Sequence, residues 1–229
     1  MAVRSVTKQG GTKQRGVTKP RPPKAVDKVA RGRPRGFDRQ AALKAAMQVF
    51  WLRGYEATSL SDLTNAMGIN APSLYAAFDC KEALFAEALE FYKTTEGALP
   101  QRLLREGRTA KQGFAAMLRF HAGNYVNPAH PPGCMAVLSA IVGAPENKSV
   151  RALMTRSRRA AMDALADRIR RGQAEGDVPA TADAAAIGAF YTTFLQGMSI
   201  QARDGATKQQ LLASVEVAMA AWDGMVGRK

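Results

Sequence analysis

Asn70, Ala71, Pro72 and Ser73 open a short stretch that runs on to Tyr75 and then Lys81. Asparagine and serine can hydrogen-bond base edges and phosphate oxygens. Alanine leaves room for close approach, and tyrosine and lysine reach the phosphate backbone. The chemistry these residues offer is recognition of a polyanion, not turnover. The sequence holds no GxSxG, Walker loop, HExxH or GxGxxG pattern, and its two histidines, His121 and His130, leave little for acid–base work. The expectation is a non-enzymatic protein without a cofactor or a bound metal.

The surrounding sequence must position that stretch. Asp38 is a plausible N-cap for a first helix, with Leu43, Ala46, Met47, Phe50 and Trp51 at helical spacing and Gly54 as its stop. Ser59 and Asp62 cap a second helix, with Leu60, Leu63 and Met67 on its apolar side and Gly68 breaking it. Pro72 suits the first turn of a very short third helix over 72–78. Asp79 and Glu82 form a capping-box-like pair that opens a fourth, with Leu84, Phe85, Ala88, Leu89 and Tyr92 on one face. Two short helices around a tight turn, at about 60–79, have the layout of a helix-turn-helix. The second of these can enter the major groove end-on, where its N–H groups and dipole also favour phosphate. The same corner occurs in many helical bundles purely as packing.

Over roughly residues 37–97 the sequence resembles the N-terminal domain of TetR/AcrR-type transcriptional regulators. Ala46, Phe50, Gly54, Tyr55, Thr58, Leu63, Gly68, Ile69, Leu74, Tyr75, Phe78, Lys81, Glu82 and Leu84 carry the likeness, in order and in spacing. The resemblance implies a homodimer that binds a palindromic double-stranded DNA operator, most often as a repressor, and lets go when a small effector enters the C-terminal domain. It also implies residue roles. Thr58 would hydrogen-bond phosphate at the start of the motif. Asn70, Ala71, Pro72 and Ser73 would form the turn and the start of the recognition helix. Tyr75 would contact the backbone, and Lys81 would clamp a phosphate. Cys80 departs from the small or polar residues common in this family, either as an incidental side chain or as a redox-sensitive one near the DNA face.

The charge is uneven. Of the net +14, residues 1–36 hold 11 Lys/Arg against Asp27 alone, a net +10, while the remainder holds 22 Lys/Arg against 18 Asp/Glu, a net +4. Residues 1–36 have no apolar period and are expected to be a disordered basic arm that seeks a polyanion. Its end reads Arg31, Gly32, Arg33, Pro34, Arg35, Gly36. This resembles an AT-hook core, in which Arg33 and Arg35 would lie in a narrow A·T minor groove. A generic basic linker that touches only phosphates is the alternative. For residues 1–30, a solubilising tail or a misplaced start codon is another.

Residues 98–229 are expected to form a larger helical bundle, so the fold class is all-α. Helices are expected over 134–142, 150–172, 182–202 and 207–222. Phe114, Met117, Leu118, His121, Tyr125, Cys134, Met135, Phe190, Tyr191, Phe194 and Met198 are candidates for an effector pocket, though such stripes equally make a packed core. His121, His130, Cys134 and Met135 raise metal or thiol sensing, but their spacing crosses a proline break and matches no metal motif. Arg156, Arg158, Arg159, Arg168, Arg170 and Arg171 read as a solvated face, partly offset by Asp163 and Asp167. The last two amphipathic helices are candidates for the dimer surface.

With 229 residues, 46% hydrophobic and 23% charged, the chain can bury a core without staples. Cys80 and Cys134 cannot make a disulfide scaffold. No apolar run is long enough to span a membrane. The start is basic with no apolar stretch behind it, unlike a secretory signal. The expected address is the reducing cytoplasm, on the nucleoid. The competing functional class is an architectural, sequence-nonspecific or A·T-preferring DNA binder that acts through the arm. A ligand-binding protein with a vestigial DNA motif is a third.

Overall fold

The computed structural model describes residues 36–141 and 143–227. Of the expected arm, residues 1–35, with Arg33 and Arg35, lie outside the described residues, as does Val142. The order is α1 (Arg39–Arg53), α2 (Leu60–Met67), α3 (Ala71–Phe78), α4 (Lys81–Thr95), α5 (Ala98–Glu106), α6 (Ala110–Asn124), α7 (Met135–Leu138), a 3-10 turn (Pro145–Asn147), α8 (Lys148–Glu175), α9 (Ala184–Arg203), α10 (Lys208–Ala220) and α11 (Trp222–Met225). No strand occurs among the described residues, and the fold is all-α.

Local signals set the first four helices. Asp38 Oδ1 accepts from the N–H groups of Gln40 and Ala41 at 2.9 and 3.1 Å. That satisfies two of the donors a helix start leaves orphaned. The stripe Leu43, Ala46, Met47, Phe50 and Trp51 is buried. Gly54 ends α1 at φ 78, and a Cβ there would stand 3.1 Å from the Ser139 carbonyl oxygen. Only glycine meets both the conformation and the approach without strain. Ser59 and Asp62 close a reciprocal capping box on α2. Gly68 turns the chain in the left-handed conformation, and Asn70 Oδ1 caps α3 through the Ser73 N–H at 2.9 Å.

The α3–α4 junction differs from the expectation. Asp79 does not cap α4. It closes α3 at φ 66, ψ −63, with the Cys80 N–H donating to the Phe78 carbonyl at 2.8 Å across it. This is a γ-turn of the rare, strained hand. An N-cap needs extended backbone, which Cys80 supplies, and its Sγ accepts from the Ala83 N–H at 3.4 Å. Glu82 therefore sits one position short of the capping-box register.

Residues Leu63, Leu74, Phe78, Leu84, Phe85 and Leu89 bury the helix-turn-helix against α1 and α4. Phe50 meets Phe85 edge-on at 5.0 Å, and Trp51 meets Tyr92 edge-on at 4.9 Å. Beyond α4, Phe114, Tyr191 and Trp222 form an aromatic triad with centroids 4.8 to 5.9 Å apart, joining α6, α9 and α11. One apolar core runs through both halves.

Two further expectations need correction. The helix expected over 134–142 is only Met135–Leu138. The Ser139 carbonyl, which would have carried it onward, accepts instead from the Tyr55 N–H at 2.7 Å, and Pro145 follows closely. Arg168 is not on a solvated face. It is 4% exposed, and its guanidinium donates to the carbonyl oxygens of Leu104 and Gly107, where α5 ends. Its neighbours on the run, Arg170 and Arg171, do lie outward, paired with Asp167 and Glu175.

Candidate functional site

α3 is held by its inner side and offers its outer side. Leu74 and Phe78 are buried, while Asn70, Ala71, Pro72, Tyr75 and Ala76 are exposed and Ser73 is half-buried. Asn70 spends its carbonyl oxygen on the cap, which leaves its amide N–H donors facing outward. Tyr75 is 46% exposed, a large ring turned partly to the surface.

Lys81 sits at the first position of α4. Its ammonium lies 4.3 Å over the Tyr55 ring. Partial burial lowers its pKa, and the nearby Glu56 carboxylate works the other way. The lysine is thus held over a ring in a fixed place, which suits a point clamp on a phosphate. Arg39 locks the frame: it donates to Glu87 at 2.8 Å and to the Ala77 carbonyl at 3.1 Å, and it stacks over Phe78. Sequence reasoning missed both Arg39 and Tyr55 as positioning residues, because their partners are remote in the chain.

Thr58 is displaced from its expected role. It is 1% exposed, and its hydroxyl donates to the Gly54 carbonyl at 2.6 Å. Ser59, beside it, caps α2 as its spacing to Asp62 predicts.

A cavity of about 640 Å³ opens among α4 to α9. Of the expected pocket residues, Met117, His121, Tyr125 and Cys134 line it. Phe114, Leu118, Met135, Tyr191 and Met198 pack into the core; Phe194 is half-buried, and Phe190 is 43% exposed on the outer surface. α9 instead turns Thr192, Leu195 and Gln196 to the cavity. A register change of one residue rotates a helix face by about 100°, which periodicity alone does not resolve.

The Cys134 thiol accepts a hydrogen bond from the Tyr92 hydroxyl at 3.2 Å, and burial pushes its pKa up. That environment favours a neutral, unreactive thiol. His130 stacks on Trp51 at 4.5 Å with its ring nitrogens near the Pro131 carbonyl and the Asn124 side chain. Among the described residues, no group of three or more His, Cys, Asp and Glu side chains could hold a metal ion. No helix among them is long and apolar enough to cross a membrane.

The halves are tied at defined points. The Ser139 hydroxyl donates to the Phe50 carbonyl at 3.2 Å. Glu56 accepts from the Ala144 N–H and the Asn147 amide, each at 2.9 Å.

Comparison with known proteins decides the family. Residues 42–88 match the model for bacterial regulatory proteins of the tetR family. The repressor ComR of Escherichia coli K12 is 35% identical over 201 residues, 87% of this chain and 95% of that protein. The chain belongs to the tetR family of bacterial regulatory proteins. This tetR-family transcriptional regulator is also similar to the repressor BdcR of the same organism, at 32% identity over 82% of the chain and 90% of BdcR. In structure it matches the TetR family transcriptional regulator CifR, solved as a cysteine mutant with 26-base-pair double-strand operator DNA. That match has 44% identity and a TM-score of 0.81, covering 83% of this chain and 100% of CifR's.

Proposed function

We propose that this tetR-family regulator is a homodimeric repressor that holds a palindromic operator with two copies of α3 and releases it when a small effector fills the cavity. The observation that carries the reading is the outer face of α3, small at its start and with Tyr75 exposed, followed by Lys81 fixed over Tyr55 at the start of α4. The operator complex of CifR, 44% identical, supports the partner. In this reading residues 37–97 bind DNA, residues 98–229 bind effector and dimerise, and the protein works in the cytoplasm. Asn70 and Ser73 read bases or phosphates, while Tyr75 and Lys81 contact the backbone.

The dimer surface is assigned to α9 and α10. Their outward residues include Phe190, Ile200 and Val217, the last 74% exposed. Phe190, Thr193, Gly197 and Ile200 are all exposed and recur at helical spacing on α9. A two-fold axis there would set the recognition helices on the order of 34–36 Å apart.

The net +10 of residues 1–36 favours a second reading, an architectural binder driven by the arm. Mobility shifts on operator and random duplexes separate the two. The repressor reading expects Tyr75→Ala to weaken operator binding strongly, with deletion of 1–36 lowering affinity and salt dependence. The architectural reading expects the deletion to abolish all binding and Tyr75→Ala to be silent.

A further inference from the structure

Three buried side-chain nitrogens on the cavity wall lack a hydrogen-bond partner: His121 Nδ1, Arg158 Nη1 and Arg168 Nη1. Arg168 is satisfied elsewhere, by two carbonyls and by Glu175 at 3.7 Å from this same nitrogen. Arg158 is different. It has neither a hydrogen bond nor an ion-pair partner among the described residues, although it lies one helical face along from Arg168 on α8. A cation turned inward without a counter-charge is unfavourable, and folded proteins rarely keep one without use.

Most of the remaining wall area is apolar, supplied by Leu104, Met117, Val137, Leu165 and Leu195. Lys93, Asp167 and Arg171 are paired with neighbours, and Glu96 and Arg105 complete the charged lining. The volume, about 640 Å³, is in the range that encloses a drug-sized molecule. We infer that the cavity takes a monocarboxylate with a hydrocarbon body, its carboxylate paired with Arg158 and hydrogen-bonded by His121. The inference rests on reading the cavity as the effector site.

The choice of carboxylate follows from the donors. A guanidinium edge matches two coplanar oxygens. A phosphate or sulfate would bring more negative charge than a carboxylate beside Glu96 and Asp167, which line the same cavity. The hydroxyls of Tyr92 and Tyr125 stay protonated, since burial raises both pKa values well above normal, and so neither competes as an anion. A neutral imidazole at His121, its pKa lowered to about 4 by burial, can donate one N–H without adding a second charge.

The test is calorimetric titration of the full chain with octanoate and 4-phenylbutyrate, each against its primary amide. The acids should bind about tenfold or more tightly than the amides, the usual scale for a charge-assisted bond in a desolvated site. Arg158→Met should bring the acids down to the amide level with the melting temperature retained. Ala161→Trp, at the cavity mouth, should block acids and amides alike. Equal binding of acids and amides, unchanged acid binding by Arg158→Met, or no acid binding at millimolar concentration would each overturn the carboxylate assignment. Operator binding followed in the same samples separates the two readings. Operator binding without acid binding removes the carboxylate class alone. Acid binding that never releases operator removes the effector reading and leaves the carboxylate site standing.

Discussion

Arg203, the last residue of α9, donates to the carbonyl oxygens of Trp51 and Leu52 in the last turn of α1. α9 also forms a wall of the cavity through Thr192, Leu195 and Gln196. The same helix therefore lines the cavity midway and holds the last turn of α1 at its end. A shift of α9 pulls directly on the C-terminus of α1, against which the helix-turn-helix packs.

Arg203→Ala should cut this tie. The site is at the surface, so the loss of stability should be modest, about 1 kcal/mol by urea unfolding. The effector concentration that half-releases operator should rise, while operator affinity without effector changes little. Normal effector response in the variant would show that coupling runs elsewhere.

Tyr75→Ala should leave folding intact, because the ring is exposed and caps nothing. Operator affinity should fall about tenfold or more, with the loss seen on phosphate-contact terms rather than on sequence preference. Lys81→Gln should act in the same direction and reduce the salt slope by about one. Fluorescence anisotropy across a salt series reads both.

Asp79 carries a strained backbone at φ 66 in the turn between α3 and α4. Asp79→Gly should relieve it and stabilise the protein by about 1 kcal/mol. Thermal unfolding measures this, and a destabilised variant would mean that the carboxylate has a structural role beyond the turn.

His121 gives a pH dependence with a definite sign. Burial lowers its pKa from 6.5 to about 4. Between those values the unfolded chain binds the proton and the folded chain refuses it. Stability is therefore full above about pH 6.5 and is lost as pH falls towards 4, by about 2 kcal/mol at pH 5. His121→Phe should flatten that window in a pH series of urea titrations. An unchanged slope would place the titrating group elsewhere.

Features decided within a few residues were legible in the sequence. Asp38, Gly54, Ser59 with Asp62, and Gly68 all act where their types and spacing put them, because a cap needs only its own turn. Features decided by remote partners were not. The helix after Cys134 stops because Tyr55 takes the Ser139 carbonyl. Arg168 continues a run of surface arginines in sequence yet turns inward to the end of α5. The same holds for the site. The short helix after Asn70 was visible from Pro72 and its spacing, whereas Thr58 is buried and the cavity wall depended on the rotation of α9. Arg158 and Gln196 could not be told from solvated neighbours without it.

Selection of binding sites from random duplex DNA by the full chain at physiological salt tests the central claim most directly. A repressor dimer built on two copies of α3 should recover an inverted repeat with half-sites about one helical turn apart. Recovery of no motif, or of A·T-rich tracts alone, would contradict it and put the basic arm in charge of binding.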